Sequence, residues 1–203
     1  MSVDVVAELP SPVSLATVLK GAGDVLRALL GPGAEPPELE IVDGWQVESH
    51  LRVASGRPLS AEDRAGTMIG GRIPPGEGEV AGSVTFEVGL LGGRDRASVL
   101  VVDWPGEHDT GPGVEAIVSP TRTCVGVVLA TAVALSAAAA SGGEFVDLEI
   151  MMLDGVAWDP ARFVELARLT DAVGGFDARC EQFMRQFTRL DGWPRDRSTG
   201  SAP

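Results

Sequence analysis

The chain has no tyrosine, two histidines, two cysteines and a single lysine, Lys20, in 203 residues. Each shortage removes a class of chemistry. Cys124 and Cys180 fall on the apolar faces of predicted helices, so they read as reduced core thiols, neither a disulfide framework nor a nucleophile. No C-x-x-C, G-x-S-x-G or H-E-x-x-H occurs, which leaves thiol redox, serine-hydrolase and zincin chemistry without their signatures. The Gly21-Ala22-Gly23 triplet lies inside a helical pattern, not between a strand and a helix, so no dinucleotide cradle is supported. No cofactor is implied. Basic residues are few, 16 against 29 acidic, and the net charge of −13 disfavours nucleic acid and anionic lipid as partners. The N-terminal residues lack a basic-then-apolar leader, Asp4 and Glu8 standing where positive charge is needed, and the expected compartment is the cytosol.

The longest apolar run is CVGVVLATAVALSAAAA, residues 124–140. As a helix it rises roughly 25 Å, short of the ~30 Å hydrocarbon core, and alanine contributes little of the transfer energy a span needs. Its flanks carry no basic cluster or aromatic belt, so the reading is a buried central helix and no membrane span. Ser119 and Pro120 are placed as its cap and first residue, Gly142 and Gly143 as its end. Val125, Val128, Leu129, Ala132 and Leu135 form its apolar stripe.

Residues 3–9 read as a strand, followed by a helix capped by Ser11, opened by Pro12 and running up to Gly31. Period-two alternation predicts strands near 39–43 and 47–53, with His50 a solvated residue between Glu48 and Arg52. Residues 54–66 read as a polar connection. A hairpin follows, 80–90 returning as 97–102, and the returning strand is apolar on both faces, as a covered mid-sheet strand should be. Residues 114–118 and 144–153 read as further strands. In the latter, Asp147 and Glu149 are placed on the face opposite Val146, Leu148, Ile150 and Met152, as a surface for a partner. Asp159 caps a third helix with Pro160 first and Trp158 stapled to Phe163. A fourth helix carries Phe176, Cys180, Phe183, Met184 and Phe187 as a core stripe. The expected organisation is one α+β domain over residues 1–190, an antiparallel or mixed sheet of about six or seven strands with the Ala-rich helix and others packed on it. Residues 191–203 are expected to be a disordered tail.

The most reactive composition lies in DWPGEHD. Asp103, Glu107, His108 and Asp109 put four ligand or acid-base groups at the end of a buried strand, beside Trp104. All come from one Gly/Pro-rich turn, a spacing that matches no metal motif.

The order of a capped Ala-rich helix, a GGEFVD turn into a strand bearing Asp147 and a short WDP-led helix resembles the C-terminal halves of small acidic bacterial immunity proteins of polymorphic toxin systems. It covers about a third of the chain and carries over no functional residue. The resemblance and the acidity together imply a non-catalytic cytosolic binding protein, an immunity protein or chaperone that neutralises a basic toxin or effector by charge-steered association. Its candidate contacts are Trp104, Glu107, His108, Asp109, Asp147 and Glu149, and self-association stays open. The alternative is a metal-dependent, hydrolase-like enzyme centred on the 103–109 loop.

Overall fold

A computed structural model describes residues 3–44, 46–48, 51–53, 56–73, 82–104 and 113–195. In chain order they form β1 (Val5–Glu8), β2 (Val13–Ser14), α1 (Leu15–Leu29), β3 (Leu39–Asp43), β4 (Gln46–Glu48), β5 (Leu51–Val53), α2 (Ala61–Gly66), β6 (Met68–Ile69), β7 (Gly82–Leu90) and β8 (Arg96–Asp103). The second half adds β9 (Val114–Pro120), α3 (Cys124–Ser141), β10 (Phe145–Val146), β11 (Ala157–Trp158), α4 (Pro160–Ala167), α5 (Phe176–Arg185) and a 3₁₀ turn at Thr188–Leu190. Among the described residues the main sheet has seven strands in the order β11-β10-β1-β9-β8-β7-β3, each antiparallel to its neighbours, and β2–β6 and β4–β5 form two small ladders. The architecture is α+β.

Alternation decides which side of the sheet is covered. Val5, Ala7, Val99, Val101, Ala116 and Val118 point to one face and are essentially inaccessible. On that face lies α3, touching β1, β8 and β9, while α1, α4 and α5 pack against α3 and α1 also reaches β3. The long apolar helix is therefore enclosed on every side, with 83% of it buried in the protein's own core. This is the buried central helix that the sequence predicts. Burial all round explains why this helix carries alanine where α1, buried only along Leu15, Val18, Ala22, Leu26 and Leu29, carries charge. Its two mid-helix hydroxyls bond to backbone carbonyls, Thr131 Oγ1 to Val127 O and Ser136 Oγ to Val18 O, both at 2.8 Å.

The second of these bonds marks a close crossing of α1 and α3. A Cβ on Gly21 would lie 2.3 Å from Ser136 Oγ. Gly21→Ala is expected to cost about 1–3 kcal/mol through this overlap, outweighing alanine's better helix propensity. In a Ser136→Ala background that cost shrinks by at least about 1 kcal/mol, as a double-mutant cycle in urea denaturation would read; additive penalties would refute the crowding.

The helix starts correct two expectations. Neither Ser11-Pro12 nor Ser119-Pro120 begins a helix. The N-caps are Ser14, which accepts from the Thr17 N–H, and Thr123, which accepts from the Gly126 N–H. Strand pairing takes the other pairs: Val13 faces Ile69 just after the first, and Ser119 and Pro120 are in register with Ser98 and Ala97. Asp159-Pro160 does open α4, with Asp159 accepting from the Arg162 N–H at 2.8 Å and Trp158 meeting Phe163 edge-on at 6.2 Å. Residues 47–53 are not one strand, because β4 and β5 are two strands paired antiparallel, Glu48 with Leu51. Inside the expected polar connection sits α2, held by a reciprocal Ser60–Asp63 capping box. Residues 191–195, expected in the tail, are tied down: Pro194 is buried and its carbonyl accepts from Arg185 Nη2 at 2.8 Å. Residues 196–203 lie outside the described residues.

Candidate functional site

The second face of the sheet carries no helix among the described residues, and its register can be followed strand by strand. Ala157 faces Val146, Val146 faces Val6, Val6 faces Ile117, Ile117 faces Leu100 and Leu100 faces Thr85. This is a transverse row crossing β11, β10, β1, β9, β8 and β7, apolar up to its last member. At ordinary strand spacing it runs about 24 Å. Leu100, on β8, is 38% exposed, and Val6, Ile117 and Val146 are half-buried; β8 itself lies mid-sheet with α3 on its other face, the place its doubly apolar pattern predicts. Toward β7 the face closes, and Val102 and Glu87 are buried.

Carboxylates border the row. Glu8 and Glu115 are directly opposed one register step away, with Glu144 beside Glu8, whose N–H donates to the Glu144 carbonyl at 2.9 Å. Burial, and after it the charges of Glu144 and Glu115, holds the Glu8 carboxyl above its ordinary value, although the Glu144 hydrogen bond opposes this. On the other side Glu149 accepts from the Asp4 N–H at 2.7 Å. Among the described residues no arginine or lysine pairs with Glu8, Glu115, Glu144 or Glu149.

Trp104 belongs to this surface. It is 39% exposed, and its Nε1–H donates to Glu115 Oε2 at 3.2 Å, holding an aromatic edge beside the acidic pair. Asp103, one residue earlier, points the other way and is a pin: its Oδ2 accepts from the Ile73 N–H at 2.8 Å and lies 3.6 Å from Arg72 Nε. Glu107, His108 and Asp109, like His50, lie outside the described residues.

Asp147 corrects the expectation of a partner-facing carboxylate. The predicted strand at 144–153 ends at Val146, and Asp147 is 1% exposed, its two oxygens taken by the N–H groups of Ile150, Met151 and Met152. An aspartate that closes a turn on its own backbone cannot also present itself to a partner. Glu149, exposed, remains at the rim of the open face. Sequence reasoning missed Val6, Leu100, Ile117 and Val146, because a row across a sheet is invisible until register is known. The doubly apolar segment 97–102 was the one available signal. No protein-family profile, curated protein or solved structure matches the chain.

Proposed function

We propose that this is a non-catalytic, cytosolic binding protein that occupies a basic surface of a toxin or effector, in the manner of an immunity protein or secretion chaperone. The observation that carries the reading is the apolar row of the open sheet face with its border of glutamates that have no basic partner among the described residues. Such a surface suits one kind of occupant. The row supplies a desolvated centre, Trp104 an aromatic anchor, and the carboxylates speed encounter with a cationic partner and reject an acidic one. A second copy of this chain is disfavoured by the same charges, since self-docking would oppose one glutamate border to another.

The test is capture with a tagged copy co-expressed with its genomic neighbours. A single basic protein is expected, released as salt rises because rim charges are screened. Leu100→Arg, a change at an exposed position, should weaken capture at least about tenfold while leaving the melting temperature unchanged. Equal capture by the Leu100→Arg protein, or binding indifferent to salt, would overturn the proposal.

A further inference from the structure

The opposite side of the molecule carries charge of the other sign. The outward face of α1 and its neighbours line two open depressions, of about 410 Å³ and 370 Å³, that share Arg27. Lys20, Arg27 and Arg64 line the first, and Arg27 with Arg168 the second. Glu38 is the one carboxylate on either wall among the described residues. That ratio inverts the chain's own balance of 29 acidic to 16 basic residues. Arg27 is bonded to Asp24, but Lys20, Arg64 and Arg168 have no ion pair among the described residues. The sole lysine of the sequence is one of them.

The shape is a groove. Its floor follows α1 from Ala16 to Ala28, a rise of about 18 Å, and continues to Gly31 just past the helix end. Leu19, Pro36, Pro37 and Leu39 make the first half apolar between the cations. Along the helix axis Lys20 and Arg27 stand about 10 Å apart, the spacing of every third residue in an extended chain. None of the lining residues is aromatic, so unpaired bases would find no stacking platform.

We propose that this groove binds an extended acidic peptide segment of a protein partner, with carboxylates at about every third residue on Lys20, Arg27, Arg64 and Arg168 and small apolar side chains between them. The site is independent of the sheet-face reading. A fluorescein-labelled nine-residue peptide of repeated Glu-Leu-Ala serves as the probe, read by anisotropy against the full-length protein. Saturable binding is expected. The double variant Lys20→Glu/Arg64→Glu, at two positions without an ion-pair partner among the described residues, should lose at least about tenfold in affinity with an unchanged melting temperature. Leu100→Arg should bind the probe as the wild type does, so failure here and failure of the sheet-face proposal are distinguishable. Equal binding by the double variant, no saturation up to millimolar peptide, or displacement of the peptide by citrate or inorganic phosphate at matched charge would overturn the proposal, the last by marking a small-anion site.

Discussion

Asp147→Ala is expected to lower the unfolding free energy by about 3–4 kcal/mol, read by urea denaturation. The carboxylate is the hub of the turn after β10. Its Oδ1 accepts from the N–H groups of Ile150 and Met151 at 3.0 and 2.8 Å, and its Oδ2 from that of Met152 at 2.8 Å. Ile150 and Met152 are core residues, so their freed N–H groups cannot both reach water without withdrawing those side chains from the interior. The turn also holds Met151 at a φ of 56°, in the left-handed region. Met151→Gly should therefore return about 1 kcal/mol, while Asp147→Ala makes that conformation harder to hold. A loss below about 1 kcal/mol in Asp147→Ala would show that packing, not the carboxylate, shapes the turn.

The same group gives a pH signature. Burial holds Asp147 above the ordinary aspartate value, the three N–H donors offsetting only part of that. The folded chain thus binds this proton more tightly than the unfolded chain. Its contribution to stability is complete in acid, declines as pH climbs from the ordinary aspartate range through the raised value, and is level beyond it. Asp147→Asn lacks that decline, so the stability gap between wild type and variant narrows across the same span. A gap that widens would reverse the assignment.

Arg179→Ala is expected to cost about 3 kcal/mol and to lower the melting temperature by roughly 6–12 °C. Arg179 is 9% exposed and makes no ion pair among the described residues; its guanidinium is spent on backbone. Nε donates to Gly174 O at 2.8 Å, and Nη1 to Leu30 O and Pro32 O at 3.0 and 2.9 Å. Leu30 is the C-cap of α1, where unbonded carbonyls gather negative potential, so one cation closes the helix end and ties α5 to the loop after it. Arg179→Lys should recover less than half of the loss, because one ammonium cannot span carbonyls set on both sides of the fork. Full recovery by lysine would mean that charge at this helix end suffices.

Legibility from sequence followed how local each cause was. The end of α3 at Gly142, the Asp159-Pro160 start of α4 and the hairpin of β7 and β8 depend on neighbours within a few residues, and all three were readable. The Ser60–Asp63 box was equally local and was passed over because only six helical residues follow it. Ser119-Pro120 misled because the same two residues make a good helix cap and a good strand end, and the partner that decides, Ser98, is far away in sequence. The open-face row could not be read at all: its members come from strands whose adjacency depends on β1 lying between β9 and β10. Asp147 was misjudged for the opposite reason. Period-two reading continued past Val146, where an aspartate able to bond its own backbone ended the strand.

The enclosure of α3 has a consequence for how the chain is made. Synthesis delivers this helix after β1, β8, β9 and α1 but ahead of α4 and α5, which finish its cover. In that interval the surface that α4 and α5 will cover has no partner within the nascent chain, and a helix without a charged residue stays partly uncovered. Docking of the amino-terminal half on this helix, before α4 and α5 emerge, is what would limit the apolar surface exposed at that stage.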